Sequence, residues 1–135
     1  MMLNGLFPEL DTLLKQSSEL DQAAEGFLLL PLADSSARLA AGQVMASMAL
    51  EHSESLKALA SLGNLISATS LLRLQYETIV RGVWLLYVAK DADIEVIQTD
   101  ITESSEARAA KLPGLSQMLK DLEGRAPRFT PSRRP

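Results

Sequence analysis

Cysteine is absent from this chain of 135 residues, and histidine occurs once, as His52. The first absence removes disulfides, thiolate metal sites and cysteine nucleophiles. The second removes multi-histidine metal centres and makes a conventional Ser-His-Asp triad a poor fit. The expectation is therefore no metal, no cofactor and no assigned catalytic residue. Aromatic residues are also scarce at 4%, with seven glycines and six prolines. A chain with so little punctuation and 47% hydrophobic content, mostly Leu and Ala, is expected to pack helices on helices. No strand-like alternation and no internal repeat interrupts that reading. The opening MMLNGLFPELD lacks the basic and apolar regions of a secretory signal. Residues 65–89 approach membrane length, but three charges inside them argue against a span. A cytoplasmic protein without membrane contact is the expectation.

What is present is unevenly charged. The net charge is −4, yet Arg125, Arg128, Arg133 and Arg134 stand among residues 125–135 without an acid. Removing those four positive charges leaves a formal −8 on residues 1–124. An acidic body is a poor generic surface for nucleic acid, which makes nucleic acid the less favoured partner. The segment RAPRFTPSRRP has three prolines and little to bury, so 125–135 is read as a disordered tail behind a helical domain of residues 1–124.

Five helices are predicted along that domain. Pro8 suits a first turn, and Leu10, Leu13 and Leu14 give the helix an apolar face, with Ser17-Ser18 as an expected interruption. Asp34-Ser35-Ser36 offers capping oxygens for a second helix, and Gly63 is its expected stop. Leu39, Val44, Met45, Met48, His52, Leu56 and Leu59 mark its expected buried face, with the two methionines as gap-fillers. A third helix from Asn64 to about Lys90 is apolar on most sides and reads as central. Asp91 or Asp93 starts a fourth, with Ile94, Val96, Ile97 and Ile101 facing inward. A short fifth covers about Leu115–Leu122 and ends at Gly124. The Gly63-Asn64 turn leaves room only for an antiparallel hairpin of the second and third helices. The fold class is all-α: a single-domain bundle of four to five helices built on that hairpin.

From Leu65 to Ala89 the only formal charges are Arg73, Glu77 and Arg81. Steps of four keep them on one narrow stripe, with Glu77 one turn from each arginine. In one reading the trio is a self-satisfied polar seam, in the core or at a dimer interface. In the other the guanidiniums await a phosphate or carboxylate, with His52 as acid or base. Hairpin counting sets His52 opposite Arg73, Gln75 and Glu77. Glu51 and Glu54 with Lys57 read as a solvated face, and Gly82 as a point of close helix approach. Trp84, Tyr87 and Tyr76 read as core or interface anchors rather than a base-stacking platform.

The segment from Leu50 to Glu95 resembles a family of uncharacterised bacterial helical proteins. The matching positions are Leu50, Glu51, His52, Arg73, Gln75, Glu77, Arg81, Trp84, Leu85, Tyr87 and Asp91. The likeness spans roughly Ser35–Pro127 and is strongest over residues 50–91. A more distant likeness is to the HEPN superfamily, helical bundles that include toxin and antiphage ribonucleases. That likeness implies an arginine followed four to six residues later by histidine, and no histidine follows Arg73, Arg81 or Arg108. The family resemblance also implies a further helix with a histidine-containing motif where residues 128–135 stand; truncation, a shifted reading frame or a natural short variant would each account for the difference. The function expected is non-catalytic: an interaction protein that forms homo-oligomers, because a helix as apolar as the third is hard to cover within one copy. The alternative is a HEPN-like RNA-cleaving or nucleotide-binding toxin or defence protein, with Arg73, Glu77, Arg81 and His52 as its site.

Overall fold

The computed structural model describes residues 7–98 and 111–125, which form five helices and no strand. Helix α1, Pro8–Leu28, begins with Pro8 at its first position and with Glu9 and Asp11 in the first turn, where the macrodipole favours acids. The expected interruption at Ser17-Ser18 does not occur. The Ser18 hydroxyl instead donates to the Leu14 carbonyl at 3.0 Å, which satisfies it inside the helix.

Helix α2, Ala37–Ser61, is capped as its sequence indicates: Ser36 Oγ accepts from the Leu39 N–H at 3.3 Å. Asp34 Oδ1 accepts from the Ser36 N–H at 2.8 Å. Hydrogen bonds from the Ser36 side chain and then its backbone hold the Asp34 carboxyl below its ordinary value. At the other end Gly63 has φ +83°. Its N–H bonds the Ala60 carbonyl while the Asn64 N–H bonds Leu59, the paired closure that a left-handed residue after a helix permits.

Helix α3, Leu65–Tyr87, stops three residues before the expected end, where the Val88 and Ala89 N–H groups both turn back to the Trp84 carbonyl. Helix α4, Asp91–Gln98, starts with the Lys90 N–H bonded to Asp93 Oδ2 at 3.0 Å. Helix α5, Leu115–Leu122, ends before Gly124, whose φ is +78°. The expectations for Ile101, for the polar stretch that runs on to residue 110 and for the tail beyond Arg125 lie outside the described residues.

The hairpin of α2 and α3 is the largest packing unit, with α1 and α4 against α2 and α5 against α3. Its seam is made of small residues. Gly42, Ala49, Ser53 and Ala60 on α2, and Ala68, Thr78 and Gly82 on α3, are buried at spacings that keep one face of each helix turned to the other. A Cβ on Gly82 would stand 3.1 Å from the Met45 Cβ, so the expected close approach is real. Of the larger residues predicted for the buried face of α2, Met45 does meet α3, whereas Val44 and Met48 are displaced outward, 57% and 42% exposed. Small side chains bring the two axes close, and that leaves no room between them for long ones. Arg38 ties the unit together at its end, with Nη1 donating to the Leu85 carbonyl and Nη2 pairing with Asp91 at 3.0 Å.

The aliphatic core sits at this same end of the hairpin. Ala41, Val80, Trp84, Leu85, Ala89, Ile94 and Met118 form it, and Met45, Val88, Leu115 and Leu122 pack around it. Thus α3 is covered by α2 along one side and by α5 over its C-terminal half. Its N-terminal half is not enclosed: Leu65, Ile66, Leu72 and Leu74 are all exposed.

Candidate functional site

The charged stripe of α3 is a surface feature. Arg73 Nε donates to Glu77 Oε1 at 3.0 Å, with the arginine side chain 82% and the glutamate 25% exposed. Arg81 is exposed as well, and among the described residues Glu77 pairs with Arg73 alone. The trio therefore does not form a seam within the core of one copy. One turn further along the same stripe comes Trp84, buried under α5, with its indole N–H directed to Asp121 Oδ2 at 3.4 Å. Arg73 and Glu77 lie before the point where that cover begins.

Register places His52 without joining it to the stripe. Met45 stands against Gly82 and Gly42 against Leu86, so His52, half-buried, lies at about the height of Gln75. That is level with the Arg73–Glu77 pair, but α3 turns Arg73 to the side away from α2. A histidine on α2 and a guanidinium on the far side of α3 do not share a cleft. Arg81 lies elsewhere, on the rim of a cavity of about 400 Å³ lined by Met45, Trp84, Leu112, Pro113 and Met118. The structure thus divides the four expected residues among three places. Of the three aromatic anchors, Trp84 belongs to the core, while Tyr76 and Tyr87 are 51% and 47% exposed.

A buried polar cluster was not legible in the sequence. Asp21 Oδ2, on α1, accepts from both Ser53 Oγ and Lys57 Nζ on α2, each at 2.5 Å. Ser53 is 1% exposed, and the Asp21 and Lys57 side chains are 14% and 13% exposed. Lys57 therefore does not belong to a solvated face with Glu51 and Glu54. Serine and lysine one turn apart on α2 were the available signal, but their acid lies on another helix. Two donors, the Lys57 amine head and the Ser53 hydroxyl, thus share one carboxylate oxygen. The chemistry of this cluster is that of a clamp between α1 and α2. Among the described residues no group of three or more metal-binding side chains occurs.

One open part of the surface is apolar. It is a groove floored by Gly42 and Ala46 of α2, with Phe27 of α1 and the connection through Leu30 and Leu32 on one side and Leu86 of α3 on the other, enclosing about 410 Å³. A smaller hollow extends it along α3 past Ile79 and Val83. The walls continue as two stripes. On α1, Leu13, Leu20 and Phe27 recur every seven residues and are 63%, 69% and 76% exposed. On α3, Leu72, Tyr76 and Ile79 are each about half exposed. The α1 stripe was present in the sequence as spacing. Only the position of α2 between α1 and α3 shows that both stripes border one groove.

An all-α bundle with a polar clamp inside and an apolar groove outside is the class of protein that fold and surface define. Residues 46–132 match DUF6988, a family of unknown function, and the chain belongs to that family. The matched region starts within α2 and takes in α3, α4 and α5, while α1 precedes it. No curated protein and no solved structure matches the chain. Among the described residues no helix is long and apolar enough to cross a membrane.

Proposed function

We propose that this protein is a non-catalytic interaction protein that associates with itself through the groove bordered by α1 and α3. The observation that carries this reading is the pair of exposed apolar stripes on the two walls of one groove. A monomer's largest apolar patch is ordinarily of roughly 300–600 Å², and larger ones mark interaction sites. Helices with small residues on one face and large apolar residues on another can bury both only if a second layer is added. The first face is spent within the hairpin, and the second remains for a partner.

Sedimentation velocity across nanomolar to high-micromolar concentration tests the proposal. A concentration-dependent dimer, shifted towards monomer by Leu20→Glu or Ile79→Glu, is the expected result. A monomer at every concentration defeats it. RNA cleavage by the purified protein, lost in both His52→Ala and Arg73→Ala with the fold intact, would replace it with an RNA-cleaving reading.

A further inference from the structure

The register of the three long helices specifies how two copies meet. We infer that the protein forms a two-fold dimer in which α1 of each copy lies along α3 of the other, with Glu19 of one facing Arg73 of its partner. This inference rests on the self-association proposed above and adds its geometry.

Helices α1 and α3 both run antiparallel to α2, one on each side of it, and are therefore parallel to each other. The contacts across α2 set their relative height. Asp21 of α1 touches Ser53, and Leu28 accepts from Gln43, whereas Met45 stands against Gly82 and Gly42 against Leu86. A residue of α1 is then level with the residue of α3 about 54 positions later. Leu20 lies at the height of Leu72–Tyr76, and Phe27 at the height of Ile79–Val83.

A two-fold axis parallel to the hairpin exchanges the left and right walls of the groove and leaves heights unchanged. It sets the α1 stripe of one copy directly on the α3 stripe of the other, twice. Apolar residues meet apolar residues at every level: Leu20 meets Leu72 and Tyr76, and Phe27 meets Ile79. An axis perpendicular to the hairpin, in the plane of the groove, would stack α1 on α1 instead.

Charge separates these two arrangements. Helix α1 carries Glu9, Asp11, Glu19, Asp21 and Glu25 against one lysine, the exposed Lys15, and is net acidic, whereas α3 has only Arg73, Glu77 and Arg81, a net positive charge. Stacking α1 on α1 opposes like charges. Stacking α1 on α3 opposes unlike ones, and it does so at a matched position. On both helices the side turned away from α2 carries a charge at the same height, Glu19 on α1 and Arg73 on α3. Arg73 uses Nε for Glu77 and is 82% exposed, so its two terminal nitrogens remain for a second carboxylate.

The area is also adequate. Leu13, Leu20 and Phe27 with Leu72, Tyr76 and Ile79 are about half to three-quarters exposed. With their neighbours they offer a surface on the order of the roughly 800 Å² per partner that a standard interface buries.

Because the chain has no cysteine, engineered cysteines report the geometry directly. Leu20→Cys and Tyr76→Cys are prepared separately, mixed and oxidised. The expected result is a disulfide-linked heterodimer in the mixture and little cross-linking of either variant alone, since a disulfide needs Cα atoms within about 7 Å. Strong cross-linking of Leu20→Cys alone would overturn the inference and leave self-association standing, as would a wild-type dimer with no cross-link in the mixture. In a second arm, Glu19→Arg and Arg73→Glu should each weaken dimerisation by about fivefold, consistent with rim ion pairs made twice, and the double variant should recover it. No recovery would remove the Glu19–Arg73 contact. A wild-type protein that stays monomeric by sedimentation defeats the proposed self-association itself.

Discussion

The two halves of α3 are equally apolar and have opposite surroundings. In the C-terminal half Val80, Trp84 and Leu85 are 6%, 3% and 1% exposed, enclosed by α2, α4 and α5. In the N-terminal half Leu65, Ile66 and Leu72 are 48%, 88% and 53% exposed. Side-chain chemistry does not distinguish the halves, since both are rich in leucine and β-branched residues. The difference is whether a second helix reaches that far. Helix α5 has eight residues, a length of roughly 12 Å, and covers only about two turns of its neighbour. Apolar character is thus a capacity for burial that each helix offers, and partner length decides how much of it one copy uses.

The sharpest way to break this comparison is to truncate one residue from each half. Trp84→Ala should cost about 3–5 kcal/mol, because it empties the site between α3 and α5, while Asp121 keeps its hydrogen bond from Gln117. Leu72→Ala should change monomer stability by less than about 0.5 kcal/mol. Urea unfolding at a concentration low enough to keep the protein monomeric measures both. Equal losses would show that the N-terminal half is enclosed in solution.

Asp21→Ala should have the next largest effect, about 2 kcal/mol, because two donors that share its carboxylate lose their acceptor in a nearly buried place. Asp21→Asn should cost less, since its amide oxygen can still accept from Ser53. Thermal unfolding followed by circular dichroism separates the two. An Asp21→Ala midpoint equal to that of the parent would show that α1 is not held by this clamp.

The glycines sharpen the account of the hairpin. At Gly82 the obstacle to a Cβ is the Met45 Cβ at 3.1 Å, which cannot move without its backbone. Gly82→Ala should destabilise by about 1 kcal/mol, the cost of overpacking less the gain in helix propensity. At Gly42 the obstacle is the end of the Leu86 side chain at 2.7 Å, which can rotate into the open groove. Gly42→Ala should be close to neutral by the same unfolding measurement, and a loss matching that at Gly82 would mean the groove has no slack.

The smallest expected effect lies on the charged stripe. Glu77→Ala removes an exposed pair one turn apart on a helix, so its cost should be within about 0.5 kcal/mol, and screened further by salt. A loss of several kcal/mol in the monomer would show that the carboxylate is enclosed with both arginines.

Legibility from sequence followed the range of the interaction. Ser36 as a cap, Gly63 as a stop and Gly82 as a contact were readable because each expresses a local backbone requirement or an anomalous residue inside a helix. The buried face of α2 was read only in part: Met45 meets α3 as its spacing indicated, but Val44 and Met48 point outward and the seam selected Gly42 and Ala49 instead. Close packing rewards small volume, and a pattern search rewards apolar size. The Asp21–Lys57 pair was out of reach for a related reason, as its members are 36 residues apart and each has nearer charges with which it could pair.

Sequence by itself determined that this protein is all helical, where most of its helices begin and end, and that α2 and α3 form an antiparallel hairpin. Those outcomes follow from capping, glycine conformation and a turn too short for any other topology. Tertiary structure alone decided that Arg73, Arg81 and His52 occupy separate places, that Lys57 turns inward, and that two apolar stripes face one groove. Each of these depends on the rotation of one helix about its axis relative to another. Side-chain packing along the whole contact sets that angle, and no local stretch of residues encodes it.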